Sequence, residues 1–338
     1  MYDGLPRRWG RLARRMLVPD RRVRRALREV ADLLPTALFE RPSPAPGFVD
    51  GAMAGNVVDV AAFGDNPGRL HMKLYLPAPA PRPGAPLLVL LHGCGQDATR
   101  FAESSGFAAL ADQLGAVLLL PDQRTENNHY RCFNWFSPAD TRRGDGEAAS
   151  IRQMVDEALR RFRGDPARVF IAGLSAGGAL TAALLAAYPD VFAAGGVVAG
   201  LPVGAAENAQ SALVQMSHPQ GGTREAWAAR VPRSNTRRWP RLSVWHGEAD
   251  QTVDPANGEL LVGQWTALLG LPATPDTEEF PAPRLRHRVW GDAVEHWSLA
   301  GYGHAFPIAE GASADPFVLP ADIAAVDAMA RFWGLEAG

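Results

Sequence analysis

One stretch limits what this chain can fold into more than any other. Val169-Phe170-Ile171-Ala172 runs directly into Gly173-Leu174-Ser175-Ala176-Gly177-Gly178, and an Ala- and Leu-rich segment, 179–187, follows. The first run reads as a short buried strand and the last as a helix. With so few residues between them, the chain must turn sharply at Ser175. Such a turn holds a serine in a strained backbone conformation, with its hydroxyl above the end of a sheet. The flanking glycines remove side chains that would collide there. The five-residue pattern alone is weak, because Gly and Ser are common in this chain. Its strand-before, helix-after context makes Ser175 the candidate nucleophile.

The rest of the chain supplies a sheet for that strand. Val57–Phe63 and Leu70–Leu76 read as a strand pair. Leu87–Leu91, Ala116–Leu120, Ala194–Ala199, Leu242–Trp245 and Trp297–Ala300 read as further strands. Helices are expected over Phe101–Leu114, Glu147–Phe162 and Ala321–Trp333. This alternation implies a mostly parallel central sheet flanked by helices on both faces. Residues 203–240 interrupt it with polar, irregular sequence, where a cap or lid insertion would go. The catalytic domain is expected over 49–338. Residues 1–48 form a separate extension that ends in the Pro-rich Arg41-Pro42-Ser43-Pro44-Ala45-Pro46. Within it, Leu5, Trp9, Leu12 and Met16, then Val23, Leu27, Val30 and Leu34, recur at helical spacing among crowded arginines. A basic amphipathic helix of this kind can meet a polymer or anionic surface through residues 1–40, or dock on its own domain with solvated arginines.

A serine hydroxyl needs a base, and on an α/β-hydrolase fold the chain order is serine, acid, histidine. The candidate acid is Asp250, in the loop after the strand that carries Leu242–Trp245. Its rival Asp254 precedes Pro255 and reads as a helix cap. His246 and Glu248 stand beside Asp250, but one short loop rarely supplies a whole zinc shell. The candidate base is His304, in Gly301-Tyr302-Gly303-His304-Ala305-Phe306-Pro307. His287 and His296 lie before or within the preceding strand. Two backbone N–H groups must face the developing oxyanion. Ala176 follows the nucleophile, and Cys94 lies in the turn His92-Gly93-Cys94-Gly95-Gln96 after Leu87–Leu91. No cofactor or metal is needed for this chemistry.

Composition narrows the rest. The formal net charge of −2 gives no global argument for nucleic acid or membrane affinity. Lys73 is the single lysine in an arginine-rich chain, so arginine abundance alone is weak evidence of binding. No apolar run reaches the roughly 18 residues of a membrane span, and no signal peptide is visible. Cys94 and Cys132 are too few for a disulfide-built scaffold. Spacing alone leaves two free thiols or one bridge, and leans to the thiols.

Seven segments in order then resemble the polyhydroxybutyrate depolymerase family of esterases. They are Leu91-His92-Gly93-Cys94-Gly95-Gln96-Asp97, Cys132-Phe133-Asn134-Trp135-Phe136, Arg143-Gly144-Asp145-Gly146-Glu147, the turn around Ser175, Tyr188-Pro189-Asp190-Val191-Phe192, Trp245 to Val253, and Gly301 to Pro307. Phe133, Tyr302 and Phe306 depart from the residues common there. The resemblance covers roughly 70–310. It implies an α/β-hydrolase fold, the triad Ser175, Asp250 and His304, the Cys94 and Ala176 amides as oxyanion hole, and a Cys94–Cys132 disulfide, against the lean from spacing. It also implies an ester or short-chain polyester substrate, with feruloyl or acetylxylan esters as the alternative, and favours an extracellular or periplasmic setting. A surface-binding protein on a hydrolase scaffold is the rival from another class. Trp135 is a candidate substrate-lining residue, or else a core tryptophan.

Overall fold

The computed structural model describes residues 55–335 apart from 233–237, 310, 312 and 314. The basic extension expected over 1–48 lies outside the described residues. Strands β1 (Asn56–Val60), β2 (His71–Leu76), β3 (Leu87–Leu91), β4 (Val117–Asp122), β5 (Val169–Leu174), β6 (Ala194–Val198), β7 (Arg241–Gly247), β8 (Thr277–Ala282), β9 (Leu285–Trp290) and β10 (Val294–Leu299) make one sheet. Its order is β1-β2-β4-β3-β5-β6-β7-β10-β9-β8. Strands β4, β3, β5, β6, β7 and β10 run parallel. The antiparallel pairs β1–β2 and β9–β8 flank them.

The parallel strands are apolar along their length because helices cover both faces. Strand β3 shows the consequence of a two-residue period: Leu87, Val89 and Leu91 face one core, Leu88 and Leu90 the other. The first core receives Ile151, Met154 and Val155 from α4 (Gly146–Phe162), Leu180 and Leu184 from α5 (Ala176–Ala187), and Leu261 and Trp265 from α8 (Ala256–Leu268). The second receives Phe101 from α1 (Ala98–Ser104), Phe107 and Leu110 from α2 (Phe107–Leu114), and Met329 and Trp333 from α9 (Ala325–Trp333). Helix α3 (Pro138–Thr141) is a single turn before α4.

Several elements differ from the sequence reading. The helix expected over Phe101–Leu114 is two helices, split where Gly106 takes φ +85°, in the left-handed region that glycine adopts without strain. Residues 203–240 are not wholly irregular. They contain α6 (Ala209–Ser217) and α7 (Arg224–Ala228). This segment is sewn to α8: Gln215 Nε2 donates to Asn257 Oδ1 (3.0 Å), and Gln264 Nε2 donates to Trp227 O (2.8 Å) and Val203 O (2.9 Å). Asn257 and Gln264 are fully buried with their amides engaged, which offsets their desolvation. The β8–β9 hairpin was not anticipated, nor was the small parallel pair β11 (Phe306–Ile308) and β12 (Val318–Pro320).

Candidate active site

Ser175, Cys94, Asp250 and His304 leave the carboxyl ends of β5, β3, β7 and β10, the edge at which parallel sheets of this kind place their sites. Ser175 sits at φ +57°, ψ −118°. For a residue with a side chain this is strained backbone, at a cost of about 1–3 kcal/mol. The surroundings hold it there. Its N–H donates to Val198 O (2.9 Å), and its carbonyl accepts from Ala179 N (2.8 Å) as α5 begins. A Cβ on Gly177 would lie 2.2 Å from Leu91 O, and one on Gly173 would lie 2.4 Å from the Gly177 backbone. Both glycines are therefore required for α5 to press its first turn against β3 and β5.

Asp250 and His304 meet. His304 Nδ1 donates to Asp250 Oδ2 at 2.7 Å. The other carboxylate oxygen accepts from Thr252 N (2.8 Å) and Val253 N (2.9 Å). Burial alone would raise the Asp250 carboxyl. The His246 and His304 rings turned toward it more than offset this and hold it well below the usual carboxylate range. Asp250 is thus an anion that fixes the His304 ring and leaves Nε2 as the other nitrogen. The two loops lie against each other: Ala249 N donates to Tyr302 O (2.9 Å), and a Cβ on Gly247 would stand 2.2 Å from that same oxygen. Asp254 is elsewhere. Its Oδ1 accepts from Ala256 N (2.9 Å), the first residue of α8, while Pro255 occupies the cap position itself. His296 is buried inside β10, and His287, on β9, pairs with Glu295 at 2.9 Å.

The turn after β3 stands beside the serine, since a Cβ on Gly93 would lie 3.5 Å from Ser175 Cβ. Among the described residues, neither the Cys94 N–H nor the Ala176 N–H donates to a protein acceptor. The Ala176 amide adjoins Ser175 in the chain and the Cys94 amide lies in the turn beside it, the donors an oxyanion site would use. The turn itself is firmly held. His92 is fully buried, and burial pushes its ring down to the neutral form. Nδ1 then donates to Gly93 O (2.7 Å) while Nε2 accepts from Gln123 N (3.1 Å). Gly93 N donates to Gln96 Oε1 (2.5 Å). Sequence reasoning did not assign roles to His92 or Gln96. His92 was signalled only through the His-Gly pair that fits turns of oxyanion type, and Gln96 only by membership of the Leu91–Asp97 segment.

Cys94 and Cys132 form a disulfide, which corrects the lean from spacing toward free thiols. Their Cα atoms are 4.1 Å apart, closer than the usual range of about 4.4–6.8 Å. The Gly95 N–H bond to Tyr130 O (2.8 Å) draws the two loops together much as two strands would be. The Cys132 loop is organised around Glu147, whose carboxylate accepts from Gln123 Nε2 (2.5 Å), Asn134 N (2.8 Å) and Asn134 Nδ2 (2.8 Å). Burial, and then the charge of Asp140, push Glu147 up to about 8 despite those donors.

Trp135 follows this loop. It is half-buried and packs both on the main core and on a small apolar group of Ala179, Leu201 and Val253, which Ala205 and Met216 extend. Ala179 is one helical turn beyond Ser175, and Val253 lies in the Asp250 loop, so Trp135 packs close to the candidate nucleophile on an apolar group whose Ala179, Leu201 and Val253 are themselves buried. No group of three or more His, Cys, Asp or Glu side chains among the described residues is arranged to hold a metal ion.

Comparison with known proteins finds esterases. The model of the family described as Esterase PHB depolymerase matches residues 70–278. Poly(3-hydroxyalkanoate) depolymerase C of Paucimonas lemoignei is 38% identical over 298 residues, spanning 82% of this chain and 70% of that protein. Feruloyl esterase B of Talaromyces funiculosus is 34% identical over 268 residues, spanning 75% and 74%. Among solved structures, an acetyl xylan esterase from Aspergillus awamori superimposes with a TM-score of 0.73 at 26% identity, covering 83% of this chain and all of that one.

Proposed function

We propose that this chain, which belongs to the Esterase PHB depolymerase family and is a serine esterase of the α/β-hydrolase fold, hydrolyses short-chain polyester or simple carboxylic ester bonds through an acyl-enzyme on Ser175. The observation that carries the reading is the Asp250–His304 hydrogen bond at the same sheet edge as a strained Ser175, with the Ala176 amide next to it in the chain and the Cys94 amide in the turn beside it. His304, oriented by Asp250, takes the Ser175 proton as Oγ attacks the ester carbonyl. The carbonyl oxygen becomes an oxyanion held by the Cys94 and Ala176 N–H groups. The C–O bond to the alcohol breaks, and the alcohol leaves with the proton from His304. Water, deprotonated by the same ring, then cleaves the acyl-enzyme and releases the acid.

The apolar surface that half-buried Trp135 keeps exposed suits the short aliphatic units of a hydroxyalkanoate polyester, and the depolymerase relative supports that substrate class. A second reading, a feruloyl or acetylxylan ester, has the fungal relative and the structural match in its favour. Comparing hydrolysis of polyhydroxybutyrate granules, p-nitrophenyl butyrate, methyl ferulate and acetylated xylan separates the two. Release of hydroxybutyrate units supports the first. Hydrolysis of only the xylan or ferulate esters overturns it. Trp135→Ala should raise KM for the preferred ester several-fold with kcat less affected, since it removes contact made equally in ground and transition states. The Cys94–Cys132 bridge fits an oxidising, extracytoplasmic setting.

A further inference from the structure

The turn at Gly93 and the loop of His304 are far apart in the sequence, yet one segment touches both. It is the strap at residues 315–319, which lies beyond the residues matched by the family model. Gln96 and Asp315 are 4% and 3% exposed. Two such polar side chains are costly to bury unless each has a partner. Here they are partners: Gln96 Nε2 donates to Asp315 Oδ2 at 2.7 Å. The Gln96 amide oxygen accepts the Gly93 N–H, one residue before the candidate oxyanion donor of Cys94. The other Asp315 oxygen accepts from Phe317 N at 3.0 Å. Phe317 in turn accepts the Phe306 N–H on its carbonyl (2.7 Å) and sets its ring edge-on to His304, with 6.4 Å between centroids. The Tyr302 hydroxyl donates to Leu319 O at 2.8 Å.

We propose that Gln96 and Asp315 are positioning residues for the oxyanion turn, and that the strap carrying Asp315 and Phe317 couples that turn to the His304 loop. Every hydrogen-bonding atom of the relay is used in one sense only. Gly93 N–H needs an acceptor, Asp315 Oδ2 needs a donor, and Phe317 N–H needs an acceptor. An oxyanion donor is useful only when it is already aimed where charge will develop. A relay of buried hydrogen bonds provides that aim, and a turn freed from it must be reorganised in each turnover.

The polarity of the relay gives a test that packing alone cannot mimic. Gln96→Glu sets two carboxyls against each other. Asp315→Asn puts an N–H against either Gln96 Nε2 or Phe317 N. Combined, the two changes restore every bond: the new carboxylate accepts from Gly93 N–H and from the new amide, whose oxygen accepts from Phe317 N–H. Hydrolysis of p-nitrophenyl butyrate is measured for the parent, both single variants and the double variant, with the rate of covalent labelling by a fluorophosphonate. Each single variant should lose about ten- to a hundredfold in kcat and in labelling rate, with KM within about threefold of the parent. The double variant should return to within about threefold. Single variants within twofold of the parent would overturn the proposal. So would a loss confined to KM, a double variant as poor as the worse single one, or variants that all fail to fold. The proposal rests on Ser175 as nucleophile, and the parent tests that separately. A parent not labelled at Ser175 defeats that reading, whereas a labelled parent with unaffected variants defeats only the role of the relay.

Discussion

Removing the Cys94–Cys132 bridge should cost stability and a smaller amount of turnover, and the structure sets both magnitudes. The bridge closes a loop of sequence separation 38. In the chain-entropy model a loop of that size corresponds to about 4 kcal/mol. The effective value should be lower, because the Gly95–Tyr130 hydrogen bond survives reduction and the denatured chain keeps some structure. A loss of about 2–4 kcal/mol corresponds to a Tm lowered by roughly 3–7 °C in a domain of this size. The turnover effect is bounded differently. Deleting an oxyanion donor outright costs about 10²–10³ in kcat. Here the Cys94 amide remains, and Gly93 is still held by His92 and Gln96, so the loosened turn should lose about three- to tenfold. The assay compares Cys94→Ala/Cys132→Ala with the parent, with and without reductant, by thermal unfolding and by kcat on a soluble ester well below Tm. Reductant should move the parent toward the double variant and leave the double variant unchanged. A Tm within 1 °C of the parent, or two free thiols in native air-exposed protein, would refute the reasoning. An unchanged kcat would refute its catalytic half alone.

Three further outcomes follow from the geometry. Asp250→Asn should lower kcat by about 10²–10⁴, whereas Asp254→Asn, whose amide oxygen can still accept from Ala256 N, should stay within about threefold; the reverse ranking would move the acid to Asp254. Gly177→Ala places a Cβ against backbone oxygens of Leu91 and His92 that cannot yield cheaply, so urea unfolding should show a loss of at least about 2 kcal/mol, and a neutral result would mean that α5 can lift from β3. Glu147 is raised from 4.5 to about 8, so its contribution to stability is full below about pH 4.5 and is lost as pH climbs toward 8. The parent Tm should therefore fall between pH 5 and 8.5. Glu147→Gln should flatten that slope while lowering Tm throughout, because an amide N–H then faces the donors of Asn134 or Gln123. A parallel slope in both proteins would assign the pH dependence to other groups.

What could be read from the sequence was local, and so was its logic. Ser175 was visible because strand, turn and helix are contiguous and the glycines required by close backbone approach stand beside it. The buried parallel strands were visible as unbroken apolar runs, and Leu87–Leu91 has the bounds expected. Asp250 and His304 were found by order along the fold, a rule that says nothing of the 2.7 Å bond joining residues 54 apart. The strands β8 and β9 escaped because they are short, mostly exposed or half-exposed and rich in charge, Glu278 and Glu279 on one, Arg286 and Arg288 on the other. The helix split at Gly106 was hidden because glycine within an apolar helical pattern does not announce whether it bends the chain. The Gln96–Asp315 pair was out of reach for a different reason. A buried glutamine and a buried aspartate look like any surface polar residues until the fold brings together two positions separated by 219 residues.

Mass spectrometry of the protein treated with a fluorophosphonate tests the central claim most directly. The account predicts one stoichiometric adduct, on the peptide containing Ser175, with ester hydrolysis lost in proportion to labelling. Ser175→Ala should give a folded protein that is neither labelled nor active beyond a small residual rate. An adduct on another serine, or a Ser175→Ala protein that hydrolyses esters within about tenfold of the parent (about 1.4 kcal/mol of barrier), would contradict it.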